Sequence, residues 1–382
     1  MLAPETEAEL AAIVTAATGP LRVVGGGTQP IGAPVTGELL STAQLTGISL
    51  YESGALTIVA QAGTPLEDIT AALDGENQRL PFEPMDYRPL LGTGTTPAPG
   101  GTGQPTIGGT VAANASGPRR IQAGACRDSL IGVRFVDGSG DIIKNGGRVM
   151  KNVTGYDLVK LMAGSRGTLG ILTEVAFKVL PGIAASATLR ATGLKDAQAI
   201  ALLSKALGSP FEVSGAAHDA TGPDPVTLIR LEGFDASVAY RTEQLTKLLS
   251  PLADITVDTG LTRVAYTWRS IRDAVPLADR DGDVWRISVK PSDGPQVAVR
   301  LGPVPRLYDW GGGLVSVLVA PGSDVRTKLQ GLSGHATLIR ASDATRAVIP
   351  PFHPEPAAIA QLSQGLRQQF DPRQILNPGL MA

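Results

Sequence analysis

The stretch from Asn145 to Val179 constrains this chain more than any other. It carries six glycines and then runs into a clean alternating pattern. Gly164, Gly167 and Gly170 recur every third residue, which keeps side chains away and lets backbone N–H groups approach an anionic or planar ligand. Beyond them Ile171, Thr173, Val175, Phe177 and Val179 share one face, the spacing of a half-buried strand over 171–179. A Gly-rich turn leading into such a strand is either a ligand wall or a tight structural corner.

Two further Gly-rich segments lie upstream. Arg22-Val-Val-Gly-Gly-Gly-Thr-Gln29 is a short β-rich run entering three glycines. In Thr106-Ile-Gly-Gly-Thr-Val-Ala-Ala-Asn-Ala-Ser-Gly-Pro-Arg-Arg120, Thr106 caps a helix whose first turn holds Gly108 and Gly109, with free N–H groups expected to face outward. A dinucleotide-binding Rossmann fingerprint fails at the first segment. Pro30 stands where the third glycine belongs, and Gln44 and Leu45 occupy the region where an acidic residue is needed. Three anion-friendly backbone sites in one half of the chain suggest one long ligand carrying phosphates.

In this order and spacing the three segments resemble the PCMH-type FAD-binding domain of the vanillyl-alcohol-oxidase superfamily. Met150-Lys-Asn-Val-Thr-Gly-Tyr-Asp-Leu158, Gly164-Ser-Arg-Gly-Thr-Leu-Gly-Ile171 and Phe370-Asp-Pro-Arg-Gln-Ile-Leu-Asn-Pro-Gly379 narrow this to a resemblance to the FAD-binding E subunits of bacterial glycolate oxidase (glycolate dehydrogenase). It covers nearly the whole chain, most specifically 106–180. The resemblance implies non-covalent FAD. It also implies, as cofactor-binding residues, Gly25, Gly26, Gly27, Thr28, Gln29, Pro84, Thr106, Gly108, Gly109, Ala112, Asn114, Gly117, Gly167, Thr168, Gly170 and Ile171. Implied partners are a larger FAD-containing D subunit and an iron–sulfur F subunit, and the implied reaction is oxidation of glycolate, or a similar 2-hydroxy acid, to glyoxylate by hydride transfer to flavin. Two other readings stay open: a stand-alone flavin-dependent 2-hydroxy-acid dehydrogenase, and a non-catalytic structural subunit with a degenerate flavin site.

Composition excludes several other classes. A net charge of −2 offers no basic footprint for nucleic acid. The single cysteine, Cys126, rules out a disulfide framework and a Cys-ligated iron–sulfur cluster within the chain, and reads as a small core residue. No basic-then-apolar leader opens the sequence and no run of 18 apolar residues follows, so a cytoplasmic protein is expected, peripheral to the inner membrane only through its partners.

Along the chain, Thr6-Glu-Ala-Glu9 and Thr64-Pro-Leu-Glu67 read as capping boxes. Residues 89–105, Gly/Thr/Pro-rich and without periodicity, read as an insertion relative to the resembled family, either a mobile surface loop or a lid or partner contact. Of Arg119 and Arg120, one suits a phosphate or the flavin edge and the other a surface or partner contact. After Pro181-Gly182 the pattern changes to β-α-β-β-α-β, a bridging helix near 261–274, and the same order again, including a helix at 323–333. The expected fold is α+β: a PCMH-type two-subdomain FAD-binding domain over 1–182, an α+β cap of two ferredoxin-like βαββαβ halves over 183–341, and a segment 342–382 returning to the first domain.

Catalytic residues are less legible. Oxidising a 2-hydroxy acid needs a cation for the carboxylate and a base for the hydroxyl proton. Arg286, Ser288 and Lys290 share one strand face, opposite Trp285, Ile287 and Val289, and could bind a carboxylate. His353 in the Pro-rich tail is the third candidate. The other histidines, His218 and His335, read as a surface residue and a half-exposed strand start; none of the three is paired at ligand spacing, so no metal site is expected. The His-Gly-Asp-Gly-Asn-x-His type motif of the sister catalytic subunits is missing, which favours a relay or accessory role.

Overall fold

The computed structural model describes residues 1–147 and 155–381, so most of the Met150–Leu158 motif lies outside the described residues. Two compact units emerge: 1–116, 124–182 and 354–382 form the first, 117–123 and 183–353 the second.

In the first unit, helix α1 (Glu7–Ala16) starts where the Thr6 hydroxyl accepts the Glu9 N–H at 3.2 Å, and it buries Leu10 and Val14. Strands β1 (Leu21–Val24) and β2 (Glu38–Ser41) pair in parallel. Leu10, Val14, Leu21 and Leu40 join Val136, Ile171, Ile375 and Leu376 in one small core. Next come β3 (Ile48–Glu52), β4 (Thr57–Gln61), α2 (Leu66–Gly75), β5 (Gln78–Arg79), the single turn α3 (Arg88–Leu91) and α4 (Ile107–Ala112). A short α5 (Arg120–Ala123) belongs to the second unit; the chain then returns through α6 (Cys126–Ser129), β6 (Leu130–Val136), β7 (Ile142–Gly146), α7 (Leu158–Met162), β8 (Ile171–Lys178) and β9 (Leu180–Pro181). An antiparallel sheet of order β3-β4-β8-β6-β7 carries the second core, where Ile69, Phe82, Phe135, Val175 and Phe177 pack. The β6–β7 hairpin closes as the sequence implies, with the Asp137 carboxylate accepting the N–H groups of Ser139 and Asp141. Cys126 is fully buried in this core, and burial pushes its thiol far above the ordinary range, so it is an inert packing residue.

The second unit is one eight-stranded antiparallel sheet. Its first half runs β10 (Ala185–Thr192), α8 (Asp196–Leu207), β11 (Gly215–Ala220), β12 (Val226–Gly233), α9 (Asp235–Leu249) and β13 (Thr256–Thr259). Helix α10 (Leu261–Arg272) follows, then β14 (Asp283–Val289), α11 (Gly294–Leu301), β15 (Arg306–Asp309), β16 (Leu314–Val319), β17 (Gly334–Arg340) and α12 (Asp343–Val348). The order β13-β10-β12-β11-β15-β16-β14-β17 is two ferredoxin-like halves, each with its first and third strands central, joined where β11 meets β15. The tail ends in α13 (Ala357–Phe370) of the first unit, a helix with no buried residue.

Several expectations need correction. The helix expected at 323–333 shrinks to one 3-10 turn, Val325–Thr327: Asp324 caps it through the Arg326 N–H, while Gly331 (φ +82°) and Gly334 interrupt the run. Thr64 does not cap α2, which begins after Pro65; its hydroxyl bridges to the Gln61 and Gly47 carbonyls instead. His218 is wholly buried in β11, because the join with β15 turns that strand into the middle of the sheet; its Nδ1 lies 2.9 Å from the Thr227 hydroxyl and its Nε2 faces Asp196. Asp196 in turn holds Arg306 at 2.7 Å, so α8, β11 and β15 meet in one polar cluster at the seam. Arg119 is not left for a phosphate or a partner, and Arg120 packs on an aromatic ring. Arg119 grips Glu232 with two hydrogen bonds of 3.0 and 2.7 Å, and the Arg120 guanidinium lies 4.6 Å from the centre of the Trp310 ring.

Burial would raise the Glu232 carboxyl, but Arg230 and then Arg119 outweigh it and hold it down to about 2. A carboxyl held below its unfolded value stabilises the fold above that value and loses the contribution as pH falls from 4.5 to about 2. Urea titrations should therefore show Glu232→Gln costing about 3–5 kcal/mol at pH 7. The gap from the unmodified protein should close across that acidic window.

Candidate functional site

Beyond Val24 the chain turns through Gly25–Gln29, with Gly27 in the left-handed region at φ +69°. Three successive carbonyls of this turn are taken: Gly26 accepts the Gly103 N–H at 2.9 Å, Gly27 the Ala98 N–H at 3.0 Å and Thr28 the Thr93 hydroxyl at 2.7 Å. The N–H groups of Gly25, Gly26, Gly27, Thr28 and Gln29 meet no acceptor among the described residues. Gly26 and Thr28 are buried, so donors left there without a partner cost about 1–3 kcal/mol each. The Gln29 side chain repeats the pattern: its Nε2 donates to the Gly109 carbonyl at 3.2 Å, while its buried Oε1 has no partner among the described residues. A row of unsatisfied backbone donors on a glycine turn is the arrangement that binds a diphosphate, and it fits the pyrophosphate of a dinucleotide.

The structure brings part of the second motif to this turn. Thr106 caps α4 through the Gly109 N–H at 3.2 Å, as the sequence implies, and a Cβ on Gly25 would come 2.9 Å from the Thr106 hydroxyl. The expected outward-facing amides of α4 are not free, however. Ile107 donates to Thr64 and Gly108 to Ala62, because the helix start packs on the end of β4. The backbone donors without an acceptor lie on the Gly25–Gln29 turn and not at the helix start.

The remaining residues form a second wall or lie apart. The Ala112 carbonyl accepts the Arg166 N–H, and Asn114, at φ +49°, uses its side-chain oxygen to accept the Arg127 N–H. Thr168 is buried and donates to the Ser165 carbonyl; Gly170 lies against Phe135, and the Ile171 side chain is in the small core. Pro84 is buried in the turn before α3. Gly117 belongs to the second unit, where its carbonyl accepts the Trp310 indole N–H at 3.1 Å.

Also in the second unit, Arg286 lies 5.7 Å from the centre of the Trp310 ring, which Arg120 flanks as well. Trp285 and Ile287 are buried on the opposite face of β14, as the alternation requires. Desolvation first, then the nearby His353, Arg120 and Arg286, lower the pKa of His335, and the two arginines make this a cationic neighbourhood. His353 is exposed and its Nδ1 accepts the Ala336 N–H at 3.3 Å; Lys290 is exposed just past the strand.

Sequence reasoning missed Asn377. Its side-chain oxygen accepts the Val23 N–H at 2.8 Å, its Nδ2 donates to the Arg166 carbonyl at 3.0 Å, and its own N–H reaches Leu21. One buried side chain thus ties the strand that delivers Gly25–Gln29 to the turn that holds Gly167. The signal was present as Asn before Pro378: this residue sits at φ +43°, a conformation a following proline disfavours and only strong local bonding sustains.

Comparison with known proteins agrees with this geometry. An FAD binding domain family matches residues 1–104 and 90–146. The fold is also that of crystallised alkyldihydroxyacetonephosphate synthase, at a TM-score of 0.66 and 17% identity over 98% of this chain and 76% of that one. The class is therefore that of FAD-linked oxidoreductases with the PCMH-type fold. Glycolate oxidase subunit GlcE of Escherichia coli (strain K12) is 36% identical over 95% of this chain and 92% of its own length, and the chain belongs to that family. Glycolate oxidase subunit GlcD of Bacillus subtilis (strain 168) is 32% identical over 47% of the chain and 37% of its own length.

Asn377→Ala removes the side-chain hydrogen bonds to the Val23 N–H and the Arg166 carbonyl, at about 1–3 kcal/mol each. Chemical unfolding should show a loss of about 2–4 kcal/mol. Flavin fluorescence titration of the refolded variant should show weaker FAD binding, because both walls of the cradle shift together.

Proposed function

We propose that this chain is the FAD-binding subunit of a glycolate-oxidising complex, acting as a relay or accessory subunit beside a larger FAD-containing D subunit and an iron–sulfur F subunit. The observation that carries the reading is the row of unsatisfied amides from Gly25 to Gln29, found in a chain that matches a glycolate oxidase subunit over nearly its full length. When bound, FAD supplies the two-electron acceptor that oxidation of a 2-hydroxy acid requires. The amides of Gly27, Thr28 and Gln29 would hold its pyrophosphate, and Asn377 would keep that turn in register with Gly167.

The cationic neighbourhood of the second unit supports a carboxylate substrate. Arg120 and Arg286 flank Trp310, and guanidinium groups are the side chains best matched to a carboxylate. His335, its pKa lowered, is neutral near pH 7 and able to accept a proton there. Electron exit needs another chain, because the one cysteine is buried and its thiol is held protonated. We place the complex in the cytoplasm, peripheral to the inner membrane through the partners; among the described residues no helix is long and apolar enough to cross a membrane.

A visible spectrum of the purified chain, loaded with FAD and then treated anaerobically with glycolate, tests this reading. Bound FAD that stays oxidised until the D and F subunits are added is the expected result. Bleaching by glycolate in the isolated chain would establish a stand-alone dehydrogenase, and a folded preparation that takes up no FAD would leave a structural subunit.

A further inference from the structure

The Gly/Thr/Pro-rich segment from Gly92 to Gln104 is a part of the sequence to which the chemistry above gives no role. It is not a loose surface loop. It crosses the Gly25–Gln29 turn and is pinned on both sides: the Arg22 guanidinium donates to the Pro99 carbonyl at 3.1 Å, the Ser41 hydroxyl to Gly100 at 3.0 Å and Arg88 to the Gln104 side chain at 3.2 Å. Its glycines allow backbone to meet backbone. A Cβ added to Gly101 would fall 2.5 Å from the Gly27 Cα, and one added to Gly26 would collide with the Gln104 carbonyl oxygen.

The three hydrogen bonds from this strap all end on carbonyls, those of Gly26, Gly27 and Thr28. In a trans peptide the N–H points opposite to its own C=O. Holding those three carbonyls toward the strap therefore turns the N–H groups of Gly27, Thr28 and Gln29 to the far side, where they meet no acceptor among the described residues. The strap also carries no charged residue to compete for or repel an anion, and Pro97 and Pro99 reduce the freedom it must lose to lie in place.

We propose that residues 92–104 are the positioning brace of the dinucleotide cradle, fixing three consecutive peptide planes so that their amides converge on the pyrophosphate before it arrives. This rests on the FAD reading above and goes further, assigning to this segment the preorganisation of that site.

The test is titration of the cofactor-free full chain with FAD, followed by flavin fluorescence, for Gly101→Ala and Gly94→Ala. Both positions lie in the strap and neither has positive φ, but a Cβ at Gly94 meets nothing closer than 3.7 Å. Gly101→Ala should weaken FAD binding about tenfold or more, while Gly94→Ala stays within about twofold and melts like the unmodified protein. Thr93→Val, which removes one carbonyl clamp without a clash, should weaken binding about threefold and decides the matter if Gly101→Ala does not fold. Unchanged affinity in Gly101→Ala, or equal weakening in both glycine variants, would overturn the brace alone. An unmodified protein that binds no FAD would overturn the brace together with the functional reading beneath it.

Discussion

The side-chain amide of Asn377 is the interaction on which the first unit most depends. Residues far apart in the chain, Val23 and Arg166, end on the two ends of one amide group, and the backbone of Asn377 closes on Leu21. The segment that delivers it is itself anchored. The Asp371 carboxylate accepts the N–H groups of Ile375 and Leu376, and the Arg373 guanidinium gathers the carbonyls of Gly138, Val14 and Ala17. The last turn of the chain is thereby as much a part of the cradle as the glycines that line it. A site built from backbone groups needs such ties, because it has few side chains of its own to lock it in place.

Much of this was legible in advance. The two-half order of the second unit follows from its pattern, and Trp285 and Ile287 are buried on the face of β14 that alternation sets opposite Arg286 and Ser288. Thr106 is the helix cap its spacing implies, and the resemblance to flavin-binding domains agrees with the family match. What could not be read belongs to long-range contacts. Nothing local in the run from Thr93 to Gly103 tells that Thr93, Ala98 and Gly103 will donate to carbonyls some seventy positions earlier, since low-complexity composition looks the same whether a loop is loose or docked. Likewise His218 sits in a sequence with no strongly apolar neighbours, and only the joining of β11 to β15 buries it.

The α4 terminus shows how a correct local reading can point to the wrong donors. Thr106 does cap the helix, but the amides of Ile107 and Gly108 close onto the preceding strand. The free donors appear one motif earlier, on a turn with no helix behind it. Its carbonyls, held by the strap, set the direction of its amides in the way a helix would have done.

The join between β11 and β15 has a consequence for how the second unit meets other proteins. Fusing the two halves there removes two open strand edges, leaving only β13 and β17 at the ends of the sheet. Strand β13 is four residues long and carries Asp258. Along β17 the N–H groups of Ala336 and Leu338 are already taken by His353 and by the Pro351 carbonyl, in a tail rich in proline. Edges that short, charged or covered cannot template another strand. Strand addition at either end of this sheet is therefore disfavoured, which leaves the side-chain surfaces of its helices and loops as the faces open to other chains.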